Sequence, residues 1–185
     1  MAKKKKEHYV DNKKLYSVMS EFKREMYENE QSGIDEKPII TEYLGECFLK
    51  IAKGLAQRPN FINYTYKEEM ISDGVENCIQ YCHNFNPEKS TNPFSYFTQI
   101  IYFAFLRRIE REKKQSYIRH KLTEKLGNMT DLATLQDHDS GISLEAVQVY
   151  MNENSTIVAD FEEKMQNRRL KNKRKSSLEK FMETE

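Results

Sequence analysis

Cys78 and Cys82 stand one helical turn apart with His83 beside them, the grouping in this sequence that comes nearest to a metal site. A structural zinc site takes four ligands, usually with closer cysteine spacing. The sequence therefore predicts small buried thiols here, and neither a metal nor a cofactor. His8, His120 and His138 lie among polar residues with no identifiable partner. No glycine-rich phosphate loop, His-Glu-x-x-His or nucleophile elbow occurs. Glu68-Glu69 and Glu162-Glu163 read as ordinary helix surface, so catalysis has no candidate constellation and no enzyme is expected. The remaining chemistry is that of cations and exposed rings. Arg107, Arg108, Arg111, Lys113, Lys114, Arg119, Lys121 and Lys125 stand against only Glu110, Glu112 and Glu124 over residues 107–125. This run follows a stretch rich in aromatics, with Tyr96 and Tyr102 the best candidates for exposed rings. Cations of this kind hold phosphates and exposed aromatics stack on bases.

The charges form a mosaic that the formal net charge of +1 conceals. Lys3 to Lys6 make a basic start. From Leu126 to Glu163 acids recur without a single Lys or Arg, and then Arg168, Arg169, Lys171, Lys173, Arg174 and Lys175 arrive together. That last cluster has two open readings, electrostatic binding to DNA and solubility of a tail. With 185 residues, 38% hydrophobic and 32% charged at a mean hydropathy of −0.85, the chain has material for one core and much solvated surface. No segment suits a membrane span or a secretory signal. The odd set Cys47, Cys78 and Cys82 fits a reducing, intracellular setting.

The elements that must position these residues are helical. Leu15, Val18, Met19, Phe22 and Met26 form one stripe from about Asn12 until Gly33 and Pro38. Ile39/Ile40, Tyr43/Leu44, Cys47/Phe48, Ile51/Ala52 and Leu55 form a wider one, stopped by Arg58-Pro59-Asn60. A third helix is predicted from Thr65, with Glu68 completing a capping box, and Met70, Ile71, Val75, Cys78, Ile79 and Cys82 as its stripe. After the turn-forming run 83–93, Asn92-Pro93 reads as an N-cap and first helical residue. The fourth helix then runs to about Lys114 or beyond, with Phe94, Phe97, Ile100, Ile101, Ala104, Phe105 and Ile109 facing the core. Residues 127–141 are acidic and aperiodic, and 142–171 regain helical potential around Leu144, Val147, Tyr150, Met151, Val158, Phe161 and Met165. The division expected is a basic disordered start at 1–11, a helical domain over 12–126, a polar acidic linker over 127–141, a helical segment over 142–171 and a flexible C-terminal tail over 172–185. The fold class is all-α, a compact helical bundle.

The text from Glu68 to Lys114, EEMISDGVENCIQYCHNFNPEKSTNPFSYFTQIIYFAFLRRIEREKK, resembles region two of bacterial sigma factors. Glu69, Asp73, Gly74, Phe85, Phe94, Ser95, Tyr96, Thr98, Ala104, Arg107 and Arg108 fall on that pattern, with a one-residue shift in the turn and another near Tyr96. The whole chain looks still more like the late-transcription sigma factors of T-even-type bacteriophages, through its size, its Asn-Pro before the long helix, Arg108-Ile109-Glu110-Arg111-Glu112 and its hydrophobic-acidic terminus. The resemblance implies that the third helix docks on the clamp helices of the largest subunit of host core RNA polymerase, through Glu69, Ser72, Asp73, Ile79 and Gln80. It implies that the fourth helix reads A/T-rich viral late promoter DNA, Tyr96 aligning with a tyrosine that stacks on a flipped adenine. Arg107, Arg108, Arg111, Lys113 and Lys114 would hold phosphates. Gln99 and Ile100 occupy the places of the family's tryptophan pair, and whether Tyr102 and Phe103 substitute is open. The chain also lacks the family's second helix-turn-helix domain.

Ser177-Leu178-Glu179-Lys180-Phe181-Met182 is similar to the subgroup's motif for the replication sliding clamp, with Lys180 intervening where the motif usually has none. Leu178, Phe181 and Met182 carry that expectation, against the alternative of a small helix docked on the protein's own core. The implied setting is the cytoplasm of an infected bacterial host, with a late co-activator as a further partner and no membrane. Two other readings stand beside this one: a stand-alone helical DNA-binding regulator, and a protein-only interaction or scaffold protein.

Overall fold

The first helix, α1 (Asn12–Gln31), is set by Asp11, whose carboxylate accepts from the backbone N–H groups of Lys13 and Lys14 at 2.9 and 3.3 Å. Those are donors that a helix start leaves without an intrahelical acceptor. It ends where Gly33 takes φ 71°, a left-handed conformation open to glycine. In this computed structural model residues 9–33, 38–128 and 144–182 are described, with side chains up to residue 125 and over 149–173. The basic Lys3 to Lys6 lie outside them. All the elements are helical, and no strand occurs among the described residues.

Leu15, Met19 and Phe22 are buried on one face of α1. Tyr16 donates to the Pro87 carbonyl at 3.3 Å and Lys23 to that of His83 at 2.9 Å. Asn12 accepts from the Phe94 N–H at 3.2 Å. The first helix is therefore part of the core, a question its sequence leaves open.

The second helix, α2 (Glu42–Ala56), is the central one, burying Leu44, Cys47, Phe48, Ile51, Ala52, Leu55 and Ala56. It begins later than the apolar stepping from Ile39 suggests. Thr41 is extended at the N-cap, Glu42 supplies an acid to the first turn, and Ile39 is left 89% exposed outside the helix. The third helix, α3 (Lys67–Tyr81), packs on α2 and buries Met70, Ile71, Gly74 and Cys78. Its N-cap position is Tyr66, without a side-chain cap bond, so the capping box expected of Thr65 and Glu68 does not form. Ile79, placed in the buried stripe by its spacing, is exposed. A 3-10 turn at Cys82–Asn84 follows, and buried Phe85 closes the end of the helix pair.

The fourth helix, α4 (Pro93–Asn128), starts as predicted, with the Asn92 side-chain Oδ1 accepting from the Ser95 N–H at 3.1 Å. Phe97, Ile101, Ala104 and Phe105 are buried, while Phe94 and Ile100 are only half-buried. Phe97 packs on Phe48 with ring centroids 4.5 Å apart. Phe105 meets Phe61, from the turn after α2, edge to face at 5.2 Å. These offset and edge contacts add roughly 0.5–1.5 kcal/mol each beyond the area they bury.

The chain divides into two compact units, Met1–Arg108 and Ile109–Glu185, and the division falls inside α4 rather than at the linker after residue 126. In the second unit α5 (Leu144–Met182) runs antiparallel to the end of α4. Glu110 pairs with Arg168 at 3.3 Å, and Tyr117 lies against Phe161 at 5.0 Å. From the first of these contacts to the second, both helices advance seven residues, about two turns. Lys121 bridges Glu124 and Glu162 at 3.0 Å each, and Val158 and His120 are buried. The helix continues to Met182, past the expected boundary at 171. The basic cluster contains neither Gly nor Pro, and its Arg and Lys are good helix formers. Of the expected linker 127–141, residues 127 and 128 are the last of α4, and the rest lies outside the described residues.

Candidate nucleic-acid and polymerase interface

Two neighbouring helices of the first unit present two different surfaces. On α3, Glu69, Ser72, Ile79 and Gln80 are exposed at positions that share one helical face. Glu76 stands exposed among them and completes the face, although no sequence pattern singled it out. Asp73, the fifth residue expected there, is instead turned toward α4. Its carboxylate receives Nε of Arg108 at 2.9 Å and a terminal guanidinium nitrogen at 3.3 Å, in a pair with side chains only 22% and 17% exposed. Beside it Arg107 donates to Oδ1 of Asn77 at 2.6 Å.

These contacts engage two of the expected site residues within the fold. Arg108 is a strut between α3 and α4, held to the half-buried Asp73 carboxylate by one hydrogen bond from a terminal nitrogen and a close ion-pair contact of Nε. A group held this way is not a free phosphate ligand, and Asp73 is not a free carboxylate for a partner protein. Arg107 keeps an exposed guanidinium with one hydrogen bond to an amide.

Tyr96 is also differently placed. Its ring packs edge-on against Phe85 at 5.3 Å and Phe97 at 5.2 Å, and its hydroxyl donates to the Tyr81 carbonyl at 3.2 Å. Burial raises its pKa above the ordinary value. The more exposed rings lie further along α4, where Tyr102 is 39% and Phe103 48% exposed, Tyr102 standing edge-on to Phe61 at 5.7 Å and to Phe103 at 5.8 Å. Between Phe103 and Arg107 stands Leu106, 38% exposed, which no motif singles out. Gln99, Tyr102, Phe103 and Leu106 follow one another at i, i+3, i+4 and i+7, so they form one outward stripe. The pattern was legible in the sequence but was masked by Phe97, Ile101 and Phe105, which carry the buried stripe of the same helix.

In the second unit Arg111 and Lys114 are exposed on α4 and Lys113 is half-buried. The backbone of Leu178, Phe181 and Met182 is helical, and their side chains lie outside the described residues.

The thiols are packing groups. Cys78 lies 4.0 Å from the Phe97 carbonyl and Cys82 3.2 Å from that of Ile79. Burial pushes the Cys78 thiol well above its ordinary pKa, which disfavours the thiolate needed for a metal or a nucleophile. Among the described residues no grouping of His, Cys, Asp and Glu could hold a metal ion. Nor is any described helix long and apolar enough to cross a membrane.

No family model matches this chain, and no curated protein matches it significantly.

Proposed function

We propose that this chain is a non-enzymatic sigma factor, which directs host core RNA polymerase to A/T-rich viral late promoters in the cytoplasm of an infected bacterium. The observation that carries the reading is the outward stripe Gln99, Tyr102, Phe103 and Leu106, ending beside Arg107. Large exposed rings on a firmly packed helix are unfavourable in water and gain by stacking on unpaired bases, about 1–3 kcal/mol per base. A cation at the end of the stripe supplies a phosphate contact. The polar face of α3, with Glu69, Ser72, Ile79 and Gln80, suits docking on the clamp helices of the polymerase's largest subunit. Base stacking falls to Tyr102 and Phe103, since Tyr96 is held by the core. Leu178, Phe181 and Met182 would tether the complex to the sliding clamp, raising its effective concentration on DNA, and a late co-activator completes the set of partners.

The test is run-off transcription with core polymerase on a supercoiled template bearing an A/T-rich late-type promoter. Specific initiation is expected, and Phe103→Ala is expected to lower it by roughly 5- to 100-fold, the equivalent of one lost stack, without lowering the melting temperature. Failure to bind core polymerase would overturn the reading in favour of a stand-alone DNA-binding regulator. Core binding that survives while Phe103→Ala and Arg107→Ala leave every DNA-dependent activity intact would favour a protein-only scaffold.

A further inference from the structure

The second half of α5 carries a row of cations with a single acid partner, Glu110, among the described residues. Over residues 164–175 the helix holds Lys164, Arg168, Arg169, Lys171, Lys173, Arg174 and Lys175 and no acid. Lys164, Arg168 and Lys171 stand at i, i+4 and i+7, hence on one face, roughly 4.5–6 Å apart along the axis. All three are exposed, as are Arg169 and Lys173. Arg168 reaches Glu110 at 3.3 Å, with both side chains more than two-thirds exposed. An ion pair so open to water is weak and readily exchanged. Lys164, Arg169, Lys171 and Lys173 take part in no ion pair or hydrogen bond among the described residues.

Like charges at i, i+3 and i+4 repel and destabilise a helix. The helix dipole does not account for them, because its pull falls off within the last turn. Here the run of cations stops at Lys175 while the helix continues to Met182, with Glu179 and Lys180 in between.

We infer that this face of α5 is a second nucleic-acid-binding site, which grips the sugar-phosphate backbone of duplex DNA without regard to sequence. One strand of a duplex presents a phosphate about every 3.4 Å along the axis, so each cation of the row has at least one within reach. A protein partner fits less well, since protein interfaces are depleted of Lys and built around an apolar centre. A membrane surface would need an apolar face opposite the cations. The apolar residues of 164–173 are Met165 and Leu170, which do not share a face. The site lies wholly within the second unit and does not depend on the sigma-factor reading.

The experiment uses the full chain without polymerase, and a fluorescently labelled mixed-sequence duplex of about 30 base pairs, followed by anisotropy over a salt series. The wild-type affinity is expected to fall linearly on a log–log plot. In a variant carrying Lys164→Gln, Arg168→Gln and Lys171→Gln the slope is expected to shrink by about two to three, since each released phosphate contact contributes about 0.9. Glutamine keeps the helix, and unchanged circular dichroism at 222 nm verifies that. A slope that the substitutions leave unchanged overturns the proposal. So does binding to anionic phospholipid vesicles with none to the duplex.

Discussion

At the scale of single residues, Tyr96 and Arg108 are both engaged in contacts within the fold. Both residues have the chemistry of nucleic-acid contacts, and in the folded chain both are used to hold α3 and α4 together. Spacing alone could not reveal this. The sequence shows that Arg107 and Arg108 are adjacent, but adjacent residues on a helix point about 100° apart, so one faces solvent while the other faces the next helix. Arg108→Ala is expected to destabilise the protein by roughly 2–3 kcal/mol, because it strands the half-buried Asp73 carboxylate without its partner. Asp73→Asn with Arg108→Met should recover much of that loss, since neither replacement leaves a charge. Urea unfolding of the single and double variants measures both. Equal losses in the two would show that the strut contributes nothing.

At the scale of the elements, two helical glycines have opposite meanings. A Cβ on Gly74 would lie 3.0 Å from Cγ2 of Ile101 and 3.1 Å from Cε1 of Phe105, both in buried side chains. Gly74 is thus what lets α3 approach α4, the physical content of a glycine that the resemblance marks only as a letter. A Cβ on Gly45 would meet nothing within 4 Å. Gly45→Ala is therefore expected to stabilise by up to about 1 kcal/mol through helix propensity, raising the melting temperature by several degrees. Gly74→Leu is expected to cost about 3 kcal/mol or more by overpacking. Thermal melts followed by circular dichroism separate the two. The helices themselves were legible because their apolar stripes are strong, as in Leu44, Cys47, Phe48, Ile51 and Leu55. Their starts were less so. At α2 the extended Thr41 outweighs the apolar Ile39 and Ile40, and at α3 Tyr66 takes the N-cap position rather than Thr65. The length of α5 was missed because its charged second half has no periodic apolar stripe to announce it.

At the scale of the whole molecule, five described groups of the first unit are kept neutral by burial. Burial, aided by a hydrogen bond with Cys47, raises the Tyr43 pKa to about 12, and burial also raises those of Cys47, Cys78, Tyr9 and Tyr96. The folded state therefore holds protons that the unfolded chain releases, from an ordinary thiol value of 9.0 and an ordinary phenol value of 10.0. Their stabilisation is complete below pH 9 and is lost as the pH rises, so the sign is a decline toward alkali. Urea midpoints are expected to fall from pH 9 and faster above pH 10, and a midpoint constant to pH 11 would contradict the assignment. The all-α class and the charge mosaic could be read from the sequence. The division inside α4 could not, because the helix runs on unbroken there, and the change from aromatic to basic residues at Arg107 reads equally as a change of face. The three thiols give the molecule a built-in clock. Cys47, Cys78 and Cys82 are all buried, and the chain contains no tryptophan to report on its core by fluorescence. A thiol reagent can reach them only while the surrounding helices are apart, so their rate of modification, relative to that of an open thiol, counts how often the first unit breathes.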